Sequence, residues 1–159
     1  MRALLCMALL LVFAGSAAAA SGSPVFRRSD GSAIVFSGAV RAWCDGARLN
    51  VVTLTPRLRQ SRWQLEIARK RVRPGRVVRF SWRNPNGIAV FVYDAKTRNE
   101  ASEGAEGSRG TVTLRRASCK RGSALAIGLS GTIASEFSDG KPVRVSGTYR
   151  GKVGSLPRP

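Results

Sequence analysis

The run PVRVSGTYRGKV, residues 142–153, restricts the fold more than any other part of the chain. Val143, Val145, Tyr149 and Val153 fall on one parity; Arg144, Ser146, Thr148, Arg150 and Lys152 fall on the other. Side chains two residues apart share a face only in an extended strand, whereas a helix would scatter them around its axis. The same period recurs along the chain. AIVFSGAVRAWC (33–44) places Ile34, Phe36, Val40, Ala42 and Cys44 together, and ARLNVVTLT (47–55) places Leu49, Val51 and Thr53 together. RWQLEIA (62–68) sets Trp63, Leu65 and Ile67 against Gln64 and Glu66, and RVVRFSWR (76–83) sets Val78, Phe80 and Trp82 against Arg79, Ser81 and Arg83. TVTLRRASC (111–119) and SALAIGLSGTIAS (123–135) continue the alternation, the latter with Leu125, Ile127, Leu129 and Ile133 on one side. GIAVFVYD (87–94) is apolar on both parities, as a strand central to a sheet should be. Turn signals separate these runs: Asp45-Gly46, Pro74-Gly75, Asn84-Pro85-Asn86-Gly87 and Ser138-Asp139-Gly140. No helical period lasts more than about two turns. The expected fold is all-β, a single antiparallel β-sandwich, immunoglobulin-like or similar, with about eight strands.

The first twenty residues, MRALLCMALLLVFAGSAAAA, stand apart from this pattern. Arg2 gives a positive start, Leu4 to Phe13 an apolar stretch, and Ala18 and Ala20 the small residues that precede cleavage. That is the form of a secretory signal peptide at 1–20. A short flexible segment at 21–32, a β-domain at 33–154 and a disordered tail at 155–159 complete the expected organisation. No second apolar span follows, so no transmembrane segment is expected after cleavage, and the product should be secreted or associated with the cell envelope.

Export simplifies the chemistry. Met1, Met7 and Cys6 leave with the leader, so the 139 residues that remain of 159 contain no Met, no His, and only Cys44 and Cys119. In an oxidising compartment such a pair reads as a disulfide. Because Cys44 has the buried parity of its strand, the bridge is expected to staple two sheets across the core, with Trp63 or Trp82 nearby. Without His, the usual nucleophilic triads and imidazole metal sites are excluded. Paired cysteines exclude thiolate and soft-metal chemistry. No phosphate-binding loop or dinucleotide fingerprint occurs, and no cofactor is expected.

Charge is the remaining signal. The chain carries 27 Lys+Arg against 9 Asp+Glu, and 22 of the bases are Arg. Residues 66–84, EIARKRVRPGRVVRFSWRN, hold seven of them in nineteen positions. Parity puts the aromatics there inward and Arg79 and Arg83 outward, with Lys70, Arg73 and Arg76 gathered around the tip of a β-hairpin. These five are the candidate anion-binding residues. The leading expectation is a non-enzymatic protein that holds an anionic polymer or lipid at the envelope, and that binds nucleic acid non-specifically. The alternative is a protein-interaction or structural module whose arginines reflect GC-rich codons. Its exposed patch would lie at Phe91 and Tyr93. A carboxylate-only hydrolase is a third reading. Residues 95–110, AKTRNEASEGAEGSRG, break the strand pattern and are expected to form a mobile loop. Its Glu100, Glu103 and Glu106 are solvated, bind Ca²⁺, or fold against the basic face.

Overall fold

A computed structural model of the chain describes residues 23–27, 30–54, 61–95, 99–135 and 143–155. The leader expected at 1–20 and the tail beyond Ser155 lie outside the described residues. The chain is all-β. Its strands are β1 (Val25–Arg27), β2 (Ala33–Val35), β3 (Arg41–Cys44), β4 (Arg48–Leu54), β5 (Arg62–Ala68), β6 (Arg76–Ser81), β7 (Ile88–Asp94), β8 (Asn99–Ser102), β9 (Arg109–Arg116), β10 (Ala124–Ser135) and β11 (Val143–Gly154). One 3-10 turn, Arg69–Arg71, is the only helical piece among the described residues.

Among the described residues eleven strands form one hydrogen-bonded sheet, where about eight in an immunoglobulin-like sandwich were expected. The neighbour order is β2-β1-β11-β3-β4-β5-β7-β8-β10-β9-β6, and β10 also pairs with β11. That last pairing closes seven strands into a ring, β11-β3-β4-β5-β7-β8-β10, and leaves β1–β2 and β9–β6 as flaps. The long strands β10 and β11 make this possible. They pair from Ala124↔Lys152 to Ile133↔Val143, and each hands its far end to a second neighbour. Ala134 and Ser135 of β10 turn to β8, while Val153 and Gly154 of β11 run parallel to β3. Closure removes edges that would otherwise stand unpaired.

Three differences from the sequence pattern have simple causes. The run 33–44 is broken into β2 and β3: β2 pairs with β1, the Phe36 N–H still reaching the Pro24 carbonyl at 2.9 Å, whereas β3 pairs with β4 and β11. The segment after Ala95 is not wholly loop: Asn99–Ser102 forms β8 and pairs with β7. The third concerns β5 and β6. Gly75 has the positive φ, 76°, that a Pro-Gly turn requires, yet the two strands are not a hairpin. β5 pairs with β4 and β7, whereas β6 pairs with β9. The chain crosses to the other half of the sheet for β6 and returns for β7. The Asp45-Gly46 signal does make a local reversal. Asp45 Oδ1 accepts the Ala47 and Arg48 N–H groups at 2.7 and 2.6 Å, and these bonds hold its carboxyl below the usual 3.8.

Parity decides the core. Leu49, Val51, Trp63, Leu65, Ile67 and Val90 from one half face Val112, Leu114, Ile127, Val145 and Tyr149 from the other, all buried. Trp63 of β5 spans the ring, with its edge 5.4 Å from Phe36 and 6.2 Å from Tyr149 of β11, centroid to centroid. Trp82 departs from the expected inward set. It lies beyond the end of β6, donates its N–H to the Ser108 carbonyl, and is 37% exposed. The disulfide joins Cys44 to Cys119, with 5.4 Å between Cα atoms. Both cysteines are only half-buried. The bridge ties the end of β3 to the β9–β10 connection at the margin of the core, instead of crossing its centre.

Candidate functional site: the basic outer face of β6, β9, β10 and β11

Register places outward side chains of four strands in one array. Arg79, Thr111, Ser130 and Ser146 form one row across β6, β9, β10 and β11, because each is paired with the next. Val77, Thr113, Gly128 and Thr148 form the adjacent row by the same pairings. Towards one end Arg109, Thr132 and Arg144 align. Towards the other lie Arg116, Ala126 and Arg150, then Ala124 and Lys152. Near that end the ladder slips. Leu114 pairs with Ile127 but Arg116 pairs with Ala126, so Arg115 is an extra residue in β9. A bulge of this kind re-aims successive side chains, and both Arg115 and Arg116 are exposed.

The face therefore presents Arg79, Arg109, Arg115, Arg116, Arg144, Arg150 and Lys152, all exposed. No outward strand position here carries Asp or Glu. The nearest acid before β9, Glu106, sits exposed in the preceding turn. Between the charged ends the surface is lined by hydroxyls. A trough of about 250 Å³ is bounded by Thr111, Thr113, Arg115, Gly128, Leu129, Ser130, Gly147 and Thr148. Gly128 deepens it by having no side chain.

The five residues expected to bind anions are only partly gathered here. Arg79 is on the face. Arg76 is half-buried at the start of β6, on the parity of Val78. Lys70 lies in the 3-10 turn and Arg73 just before Pro74, both exposed on the crossover between halves. Arg83 is exposed beyond β6, its guanidinium carbon 4.8 Å from the Trp82 ring centroid. Arg109, Arg115 and Arg116 were not among the expected site residues, although Arg144, Arg150 and Lys152 were already legible as outward. Which strands lie side by side depends on pairing, and alternation does not report it.

Among the described residues, Glu66 and Glu103 lie on the other half. Arg48 of β4 pairs with Glu66 of β5, whose second oxygen accepts Gln64 Nε2 at 2.6 Å. The Glu66 bond and charge raise the Arg48 pKa above its usual value. Glu103 Oε2 accepts the Val90 N–H at 2.7 Å. Arg48, Glu66 and Glu103 line a common trough of about 260 Å³ with Ala68, Pro85, Gly87, Ile88 and Ala89. Glu103 therefore does not fold against the Arg79 face, as one expectation had it; strand β8 carries it to this trough instead. Both carboxylates here are already held by donors. Among the described residues no group of three or more His, Cys, Asp or Glu is placed to hold a metal ion. Phe91 and Tyr93 are half-buried, and Arg62 lies 5.3 Å over the Phe91 ring. Among the described residues no helix is long and apolar enough to cross a membrane. Comparison with protein-family models, curated proteins and solved structures finds no match to this chain.

Proposed function

We propose that this is a secreted, non-enzymatic protein that binds an anionic polymer or lipid of the cell envelope through the outer face of β6, β9, β10 and β11. The observation that carries the reading is the separation of sign. Seven basic side chains share one sheet face on which no acid occupies an outward strand position. Glu66 and Glu103 lie in a trough with Arg48 on the other half. The disulfide suits an oxidising compartment and so accords with the leader-like first twenty residues.

Binding would work by displacement of counterions. Each phosphate, sulfate or carboxylate that an arginine neutralises releases the ion it held, so affinity falls as salt rises. Arginine suits this role because its planar fork contacts two oxygens of one anion. The test is the affinity for heparin or duplex DNA across a salt series. On DNA, a plot of log affinity against log salt should have a slope near −0.9 for each phosphate engaged, so a contact using most of the face gives about −5. A slope near zero refutes the electrostatic mechanism.

A protein-interaction module is the second reading, and one observation favours it. β6 is a terminal strand of the sheet, and Val77 on it is 55% exposed. A partner retained from envelope extract in high salt supports this reading over the first.

A further inference from the structure

We infer that the trough between the two basic ends of this face is a subsite for an extended acidic polysaccharide, with sugar hydroxyls on its threonines and uronate or sulfate groups on its arginines. This deepens the polyanion reading and rests on it. Three features select the ligand class.

The first is the state of the hydroxyls. Thr111, Thr113, Ser130 and Thr148 line the trough, and none of their side chains has a hydrogen-bond partner among the described residues. Each hydroxyl offers one donor and two acceptors, which is what a sugar hydroxyl or ring oxygen pairs with. A ligand made only of phosphates could accept from those hydroxyls but would donate nothing to their lone pairs.

The second is the spacing of charge. Arg144 and Arg150 of β11 lie six residues apart, about 20 Å at about 3.3 Å per residue. Arg109 accompanies the first end, and Arg115, Arg116 and Lys152 accompany the second. A single headgroup cannot reach both ends, but a linear chain lying along the strands meets charge, then hydroxyls, then charge. The third is the lack of aromatic platforms along the strands themselves, since the exposed Trp82 lies past the end of β6 with Arg83 over its ring. No aromatic ring points outward from β6, β9, β10 or β11. Single-stranded nucleic acid depends on such rings to stack its bases.

Gly128 permits a test that leaves the charge intact. A Cβ built there would meet only Thr113 Cβ, at 3.8 Å, an ordinary contact. Valine at this position suits a strand, so Gly128→Val fills the trough without disturbing the core. The second variant is Thr113→Val with Thr148→Val, which removes two hydroxyls at nearly constant shape. The third is Arg115→Gln. Circular dichroism and melting temperature establish that each is folded. The probes are polygalacturonate, inorganic polyphosphate, and vesicles of anionic phospholipid, at one fixed salt concentration.

The expected result is that Gly128→Val and the double threonine variant each weaken polygalacturonate binding about tenfold while polyphosphate binding stays within about twofold. Arg115→Gln should weaken both. If the threonine and glycine variants bind polygalacturonate as the wild type does while Arg115→Gln weakens it, the trough assignment fails and the polyanion reading stands. The same conclusion follows if vesicles or polyphosphate bind more tightly than polygalacturonate. If the wild-type protein binds none of the three probes, both fail.

Discussion

Replacing Tyr149 by Phe should stabilise the protein and remove part of its sensitivity to alkali. Tyr149 is fully buried, its ring edge-on to Trp63, and its hydroxyl has no hydrogen-bond partner among the described residues. An unmet buried hydroxyl costs about 1–3 kcal/mol of desolvation, while deletion of one oxygen changes the packing little. The net gain at neutral pH is therefore about 1–2 kcal/mol. Burial also pushes the Tyr149 pKa well above the ordinary 10.0. The sign follows from linkage: the unfolded chain releases the phenolic proton at about pH 10, and the folded chain keeps it. Tyr149 then leaves stability unchanged below that pH and lowers it above, by about 1.4 kcal/mol per unit until the folded group ionises. Urea unfolding of both proteins near pH 8 and near pH 11 measures this, since every other group is common to the two and cancels. The advantage of Tyr149→Phe should grow by about 1.4 kcal/mol between the two conditions. A variant destabilised by more than about 1 kcal/mol near pH 8 refutes the unmet hydroxyl. An advantage that does not change with pH refutes its retention of the proton.

The disulfide and the basic face give two further predictions. Converting Cys44 and Cys119 together to Ala opens a loop whose ends are 75 residues apart, and the loop-entropy relation gives a loss of about 4–5 kcal/mol, read as a lower urea midpoint. A loss under about 1 kcal/mol would mean that residual structure already keeps residues 44 and 119 near one another in the unfolded chain. For the face, Arg79→Gln with Arg150→Gln should weaken heparin binding severalfold more than Arg41→Gln with Arg62→Gln, though each pair lowers the net charge by two. Equal losses would show that only total charge matters.

How far the sequence reaches can be judged strand by strand. Strand β11 was fully legible, because its two parities differ without exception from Val145 to Val153. So was β5, whose expected bounds, 62–68, are those observed. Trp82 was misplaced because parity was extended one residue past the ladder, where the Ser81–Asn84 bridge turns the chain. The short strands β1, β2 and β8 carry three or four residues each, too few to show a period. What alternation could not supply was adjacency. The richest basic stretch, 66–84, is split by its own crossover, so Lys70 and Arg73 lie on the connecting segment and Arg79 on the outward parity of β6. The face is assembled instead from β6, β9 and β11, whose contributions are spread between residues 79 and 152.

Composition and placement make different demands on the same arginines. GC-rich codons would raise Arg everywhere, and burial would then reject it from inward positions, because an unpaired guanidinium is not tolerated in a core. Outward arginine is thus expected on any single strand, and what points to a ligand is its gathering on one face. With 27 basic and 9 acidic residues, three charges in four are basic, and a face of seven charges is wholly basic about one time in seven (three quarters to the seventh power). The interior of the face is a separate feature. Thr111, Thr113, Ser130 and Thr148 form an uncharged strip, their side chains unbonded within the described residues, and Gly128 leaves a hollow among them. A surface kept soluble by charge has no need of the hollow, whereas a bound polymer does. For that reason filling the hollow at constant charge separates the two explanations more sharply than removing any arginine.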